Sequence, residues 1–158
     1  MREEKINIVD LFQLSTEKKI GVCITTNGEV DRNGNAIMGI GTARLAKKHF
    51  PDLPGKLGRD ILEKGNRVFY YPEYRLITFP VKHRFKERAS VLLVKNSCLS
   101  LARLIEDNKF DTVYLPKPGC GAGNLSWEDI KPDVERILGR YNVVIIYFEL
   151  WNESSKKS

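Results

Sequence analysis

Two stretches of this chain, 111–116 (DTVYLP) and 142–150 (NVVIIYFEL), are nearly continuous apolar runs of strand length. A strand with one wet face alternates apolar and polar residues, so a run without alternation belongs in a sheet covered on both faces by helices. Three further segments, 18–26, 67–71 and 74–81, are rich in β-branched and aromatic residues and read as strands. Helical patterns lie between them. Residues 41–50 form a short one stopped by Pro51, and Leu92, Leu93, Cys98, Leu101, Leu104 and Ile105 recur at helical spacing in a second. Part of 127–141 carries a third, in which Ser126 with Asp129 has the pattern of a capping box. Pro132 is expected to open a first turn of its own, because a proline deeper in a helix removes a backbone donor. Gly139 marks the stop. The alternation of elements predicts a three-layer α/β domain.

At 158 residues the chain is the size of one domain and long enough to bury a core without cross-links. That domain is expected over 1–151, followed by a polar tail, 152–158, whose composition predicts disorder. Lys and Arg number 26 against 20 Asp and Glu, a net charge of +6 that favours anionic partners without naming one. The main basic cluster, 81–88 (VKHRFKER), reads either as a nucleic-acid contact or as an ordinary solvated loop. Cys23, Cys98 and Cys120 are odd in number and far apart, which supports neither a disulfide framework nor a paired zinc spacing, and no metal or other cofactor is expected. The N-terminus has no apolar signal-like stretch and no segment is long enough to span a bilayer, so the expectation is a cytoplasmic protein without a membrane partner.

Both glycine-rich stretches follow an expected strand and lead into an expected helix, where α/β sheets hold ligands. In the first, Met38-Gly39-Ile40-Gly41-Thr42-Ala43 opens a helix. Backbone N–H groups at a helix start carry partial positive charge, and glycines let a phosphate approach them. A dinucleotide fingerprint needs Gly or Ala where Arg44 stands, and no P-loop sequence occurs. Taken alone, these glycines fit tight turns equally well. The second loop, Gly119-Cys120-Gly121-Ala122-Gly123-Asn124, repeats the pattern, and the pair points to a ligand with two phosphates gripped from both sides.

The ordered set "ITTNG…NAIMGIGTARLAKKHFPDLPGKLG", "ITFPVKHRF" and "PGCGAGNLSW" resembles a macro domain, the module that binds ADP-ribose, over nearly the whole chain from Ile6 to Trp151. The resemblance implies a three-layer α/β/α sandwich with a mixed, mostly parallel central sheet. It implies that Thr26, Met38, Gly39, Ile40, Gly41 and Thr42 from one side, and Gly119, Cys120, Gly121, Ala122, Gly123, Asn124 and Leu125 from the other, hold the pyrophosphate and distal ribose. Macro domains carry an acidic residue in a turn near the N-terminus that meets the adenine; Asn7 stands there, and Asp10 is the nearby acid. Trp151 is a candidate to cover the base, or it packs at a sheet edge.

Some macro domains only read ADP-ribose and others cleave the bond at its distal ribose. This chain resembles the branch containing the terminal ADP-ribose glycohydrolase and the antitoxin macro domain that removes ADP-ribose from thymidine in DNA, and Lys82 matches the lysine of that branch. The chemistry is sound independently: glycosidic cleavage passes through an oxocarbenium-like state, and an unprotonated amine can attack the anomeric carbon. His83 and Arg84 are expected to lower the pKa of Lys82, whose alternative role is that of an exposed lysine on a basic loop. The glycohydrolase branch has an aspartate where Gly123 stands; the DNA-directed branch has glycine there. Asn27 and Asn35 are candidates to orient water or the ribose hydroxyls, although Asn33-Gly34 also suits a plain turn. Cys120 has no histidine linked to it by any motif, and His49 suits a helix C-terminal dipole. The expected function is a hydrolase that removes ADP-ribose from a modified macromolecule or processes an ADP-ribose derivative. The alternatives are a non-catalytic ADP-ribose reader and a nucleic-acid-binding protein acting through Lys82, Arg84, Lys86 and Arg88.

Overall fold

The computed structural model describes residues 1–149; Trp151 and the 152–158 tail lie outside the described residues. The elements follow in the order β1 (Arg2–Lys5), α1 (Ile8–Phe12), β2 (Ile20–Asn27), α2 (Gly41–His49), α3 (Leu53–Lys64), β3 (Tyr70–Tyr71), β4 (Leu76–Lys82), α4 (Val91–Asn108), β5 (Thr112–Pro116), α5 (Trp127–Leu138) and β6 (Val143–Tyr147). The strands form one sheet in the order β1-β6-β5-β2-β4-β3. Every pairing is parallel except the short antiparallel one between β3 and β4.

The continuous apolar runs are explained by two cores. Val22 and Ile24 of β2 and Val144 and Ile146 of β6 pack under α1, α2 and α3. Their neighbours Cys23, Val143 and Ile145 point the other way, under Val94, Cys98 and Leu101 of α4 and Ile130, Val134 and Leu138 of α5. Successive side chains of a strand leave opposite faces, so a strand buried on both has no polar position to show. The chain is therefore the expected three-layer α/β/α sandwich around a mixed, mostly parallel sheet. No helix among the described residues is long and apolar enough to cross a membrane.

Three elements escaped the sequence pattern. β1 is an edge strand with charged ends and one neighbour, and α1 has only five residues, with Asn7 accepting from the Val9 N–H at its start. α3 contains Pro54, Gly55 and Gly58, which read as breakers, yet Pro54 sits in the first turn, where no donor is lost, and Leu53, Leu57 and Ile61 bury one stripe. α5 corrects a further expectation: one helix runs from Trp127 through Pro132. Ser126 occupies the N-cap position without a side-chain bond, and its carbonyl accepts from Asp129 (3.1 Å) and Ile130 (3.2 Å) instead. The burial of Ile130, Val134 and Leu138 outweighs the donor lost at Pro132.

Gly58 shows how tightly α3 is seated. A Cβ there would lie 2.0 Å from the Gly34 carbonyl oxygen. That oxygen, the Gly34 carbonyl carbon and the Ala36 nitrogen are the three nearest atoms, and all are backbone, so nothing nearby can rotate away. Gly58→Ala is expected to cost about 3 kcal/mol, read as a lowered urea midpoint at unchanged slope.

Candidate functional site

β2 and β5 are parallel neighbours, but the chain leaves β2 for α2 on one face and β5 for the α5 side on the other. Where two connections diverge like this, a crevice opens beyond the carboxyl ends of the strands. A cavity of about 520 Å³ lies there, lined by Thr25, Thr26 and Asn27 of β2, Val81 and Lys82 of β4, Pro116 of β5, and Ile146 and Tyr147 of β6. Both glycine loops also line it, and the volume is that of a small-molecule site.

The first loop is tied down by hydroxyls. Thr42 Oγ1 accepts from the Thr25 N–H at 3.0 Å and meets Thr25 Oγ1 at 3.1 Å, fixing the start of α2 to the end of β2. Gly41 opens the helix at φ +65°, a left-handed conformation that favours glycine. The N–H groups of Gly39, Ile40, Gly41, Thr42 and Ala43 donate to no acceptor among the described residues, which leaves a fan of donors at a helix start. Met38 is buried, whereas Ile40 is 48% exposed at the mouth.

The second loop folds onto itself. Leu125 N–H donates to Gly119 O (2.9 Å) and Asn124 N–H to Gly121 O (3.1 Å), with Gly119 at φ +74° and Asn124 at φ +62°. Gly119, Cys120, Gly121, Ala122 and Gly123 line the cavity; Asn124 and Leu125 do not. Leu125 packs against Gly119, and the Asn124 carbonyl accepts from Arg88. The N–H groups of Gly121, Ala122 and Gly123 donate to nothing among the described residues. A Cβ at Gly123 would lie 2.6 Å from Gly119 O and 2.7 Å from Ala89 Cβ, so no aspartate fits this loop as it stands. Burial pushes the Cys120 thiol up to about 11, and its sulfur rests 3.4 Å from Pro118 O, which leaves it an inert packing group.

Lys82 closes one end of the cavity. The β2–β4 register shifts between Thr26 and Asn27, so that Asn27 stands opposite Lys82 while Val81 is skipped. Such bulges re-aim side chains at sites. The Lys82 side chain is almost wholly buried, with the residue 8% exposed, and its amine donates to Phe85 O at 3.2 Å. Among the described residues no carboxylate lies within ion-pair distance of it. Burial holds its pKa below the ordinary lysine value; the expected contribution of His83 and Arg84 is not among the causes, and both are exposed.

Asn27 donates to Ile37 O (3.0 Å) and accepts from Glu29 N–H (2.8 Å), holding the polar excursion after β2. Asn35 does not line the cavity: its backbone bonds to Asp31 in the turn containing Gly34, and its side-chain oxygen faces Gly55.

At the opposite end lie Ile146, Tyr147 and Phe148. Neither Asn7 nor Asp10 lines the cavity, because Asn7 spends its oxygen capping α1. The aromatic pair Tyr147 and Phe148 was concealed in the sequence as the continuation of an apolar strand. Arg44, Lys48, Lys82 and Lys117 line the cavity and no carboxylate among the described residues does, an environment that favours an anion. His49 packs among rings instead, 5.6 Å from Phe12 and 4.7 Å from Phe50. No group of metal-ligating side chains occurs among the described residues.

No protein-family model matches the chain, and no curated protein does. Solved structures do match it. The macrodomain of Thermus aquaticus DarG is 22% identical with a TM-score of 0.74, covering 94% of this chain and 97% of that one. The macrodomain of Mycobacterium tuberculosis DarG is 20% identical with a TM-score of 0.69, covering 88% and 91%. Thermosipho africanus DarTG, solved in complex with ADP-ribose, is 18% identical with a TM-score of 0.68; the match covers 84% of this chain and 38% of that one. With its sheet order and two glycine loops at the switch point, this chain has the macrodomain fold.

Proposed function

We propose that this protein binds ADP-ribose and removes it from a modified macromolecule, with Lys82 as the nucleophile. The observation that carries the reading is a buried amine, free of any carboxylate among the described residues, at one end of a cationic cavity whose middle is walled by two loops of unused backbone N–H groups. Strands are spaced by about 4.8 Å, so the ends of β4 and β6 lie roughly 14 Å apart across β2 and β5, a span suited to a dinucleotide-sized ligand. The diphosphate rests on Gly39, Ile40, Gly41 and Thr42 from one side and Gly121, Ala122 and Gly123 from the other. Tyr147 and Phe148 take the base, and Lys82 meets the distal ribose. That a macrodomain-containing DarTG was solved with ADP-ribose supports the ligand.

In the reaction, the lone pair of neutral Lys82 Nζ attacks the anomeric carbon. The bond to the acceptor breaks with its electron pair on the acceptor atom, which takes up a proton. Water then displaces the amine and frees ADP-ribose. The spare N–H of Asn27 is available to a ribose hydroxyl or to that water. The exposed residues His83, Arg84, Lys86 and Arg88 beside the reacting end favour a polyanionic acceptor such as nucleic acid. One observation favours a non-catalytic reader instead: among the described residues no carboxylate lines the cavity to act as a general acid or base.

Release of free ADP-ribose from DNA modified on thymidine or guanosine tests the reading. Turnover on either supports the hydrolase; binding of ADP-ribose without release on either supports the reader.

A further inference from the structure

We propose that Glu29 and Phe85 form a latch that positions the Lys82 amine for attack and links its placement to both glycine loops. This rests on the reading of Lys82 as the nucleophile. The polar excursion after β2 is not a loose loop at its base. Glu29 donates its N–H to Asn27 Oδ1 (2.8 Å) and accepts from Ile37 N–H (3.0 Å), and Val30 bridges antiparallel to Ala36. This holds the Glu29 carboxylate where Oε1 accepts from the Phe85 N–H at 2.9 Å.

The carbonyl of the same residue, Phe85, in the next peptide unit along, accepts from Lys82 Nζ, and the Phe85 ring lies 6.0 Å from that nitrogen. The ring also covers Gly39: a Cβ there would come within 3.1 Å of it. One residue thus contacts the amine, the first glycine loop and Glu29. At its far end the segment reaches the second loop, where Arg88 donates to Asn124 O (3.2 Å) and Ala89 N–H to Gly123 O (3.0 Å).

The geometry does two things for a nucleophile. An amine that donates one N–H to a fixed carbonyl has fewer orientations to lose before attack. The ring and the closed segment also keep water from it, which favours the neutral, reactive form. The ionisable groups on the segments meeting Lys82 are Glu29, Asp31 and Arg32 on the excursion, His83, Arg84, Lys86, Glu87 and Arg88 on its own loop, and Arg44, Lys48, Lys117, Cys120 and Tyr147 lining the same cavity. The Phe85 N–H is a neutral donor and needs only an accepting oxygen at position 29, so an amide can stand in for the carboxylate in this latch.

The experiment compares Glu29→Ala with Glu29→Gln, which keeps an accepting oxygen. NMR titration of the Lys82 ε-methylene and single-turnover release of ADP-ribose are measured on both, with ADP-ribose affinity as the check on folding and binding. Glu29→Ala is expected to raise the Lys82 titration toward the ordinary lysine value and to slow release at least about tenfold without weakening affinity, and Glu29→Gln to restore both. An unchanged titration and rate in Glu29→Ala, or a Glu29→Gln variant as defective as Glu29→Ala, overturns the latch. If the wild type releases nothing, the catalytic reading fails on its own, and the titration still decides whether the latch sets the environment of the amine.

Discussion

With Lys82 as the proposed nucleophile, Lys82→Ala is expected to abolish ADP-ribose release, lowering single-turnover rates at least about 100-fold while ADP-ribose affinity stays within roughly threefold. The asymmetry follows from where the amine stands. The Lys82 amine donates to Phe85 O, within its own loop, and the unused N–H groups that suit a diphosphate belong to other segments. Removing it takes away a group whose work is done in the transition state. Lys82→Arg does not rescue, because a guanidinium stays protonated and offers no lone pair. The pH dependence has a definite sign. The attacking form is neutral, so the wild-type rate rises as pH climbs through the Lys82 pKa, and burial places that rise below the pH at which an exposed lysine would titrate. The residual rate of Lys82→Ala lacks this limb.

Gly123→Ala closes the second loop. The added methyl lies 2.6 Å from Gly119 O and 2.7 Å from Ala89 Cβ, and the first of these is backbone in a turn already fixed by the Leu125 N–H to Gly119 O bond. Relief requires the loop to shift off Ala89, which breaks the Ala89 N–H to Gly123 O bond and moves the N–H groups of Gly121 and Ala122. The expected cost is about 1–3 kcal/mol of stability and at least tenfold in ADP-ribose affinity. Denaturant melts and calorimetry read the two effects separately. Gly121→Ala is the matched control for stability, since a Cβ there meets no protein atom within 4 Å and the melt should be unchanged. Gly123→Asp is expected to fail as Gly123→Ala does, not to supply an acid.

What the sequence revealed and concealed follows from how local each determinant is. The central strands were legible because they are buried on both faces: β5 and β6 show nearly continuous apolar runs, and β2 and β4 are rich in β-branched and aromatic residues. Both glycine loops were legible because a left-handed φ at Gly41 and Gly119, and the close approach at Gly123, admit little else. β1 was hidden because its residues face solvent at a sheet edge, and α3 because its glycine answers to a contact with Gly34, 24 residues earlier in the chain. Pro132 misled because the stripe Ile130, Val134 and Leu138 holds α5 together across it. Within the site, Lys82 stood out by motif, but its setting depends on Glu29 and Phe85, a pair 56 residues apart that no local pattern joins. The same holds for Tyr147 and Phe148, which only the sheet order brings to the cavity, whereas Asn7 misled for a local reason: its oxygen is claimed by the Val9 N–H two residues on.

Calorimetric titration of the protein with ADP-ribose, with AMP and ADP alongside, tests the central claim most directly. One site is expected, with a dissociation constant on the order of 1 μM, and weaker binding of ADP and of AMP as the distal ribose and then a phosphate are lost. No heat with ADP-ribose, or equal affinity for all three, would contradict it.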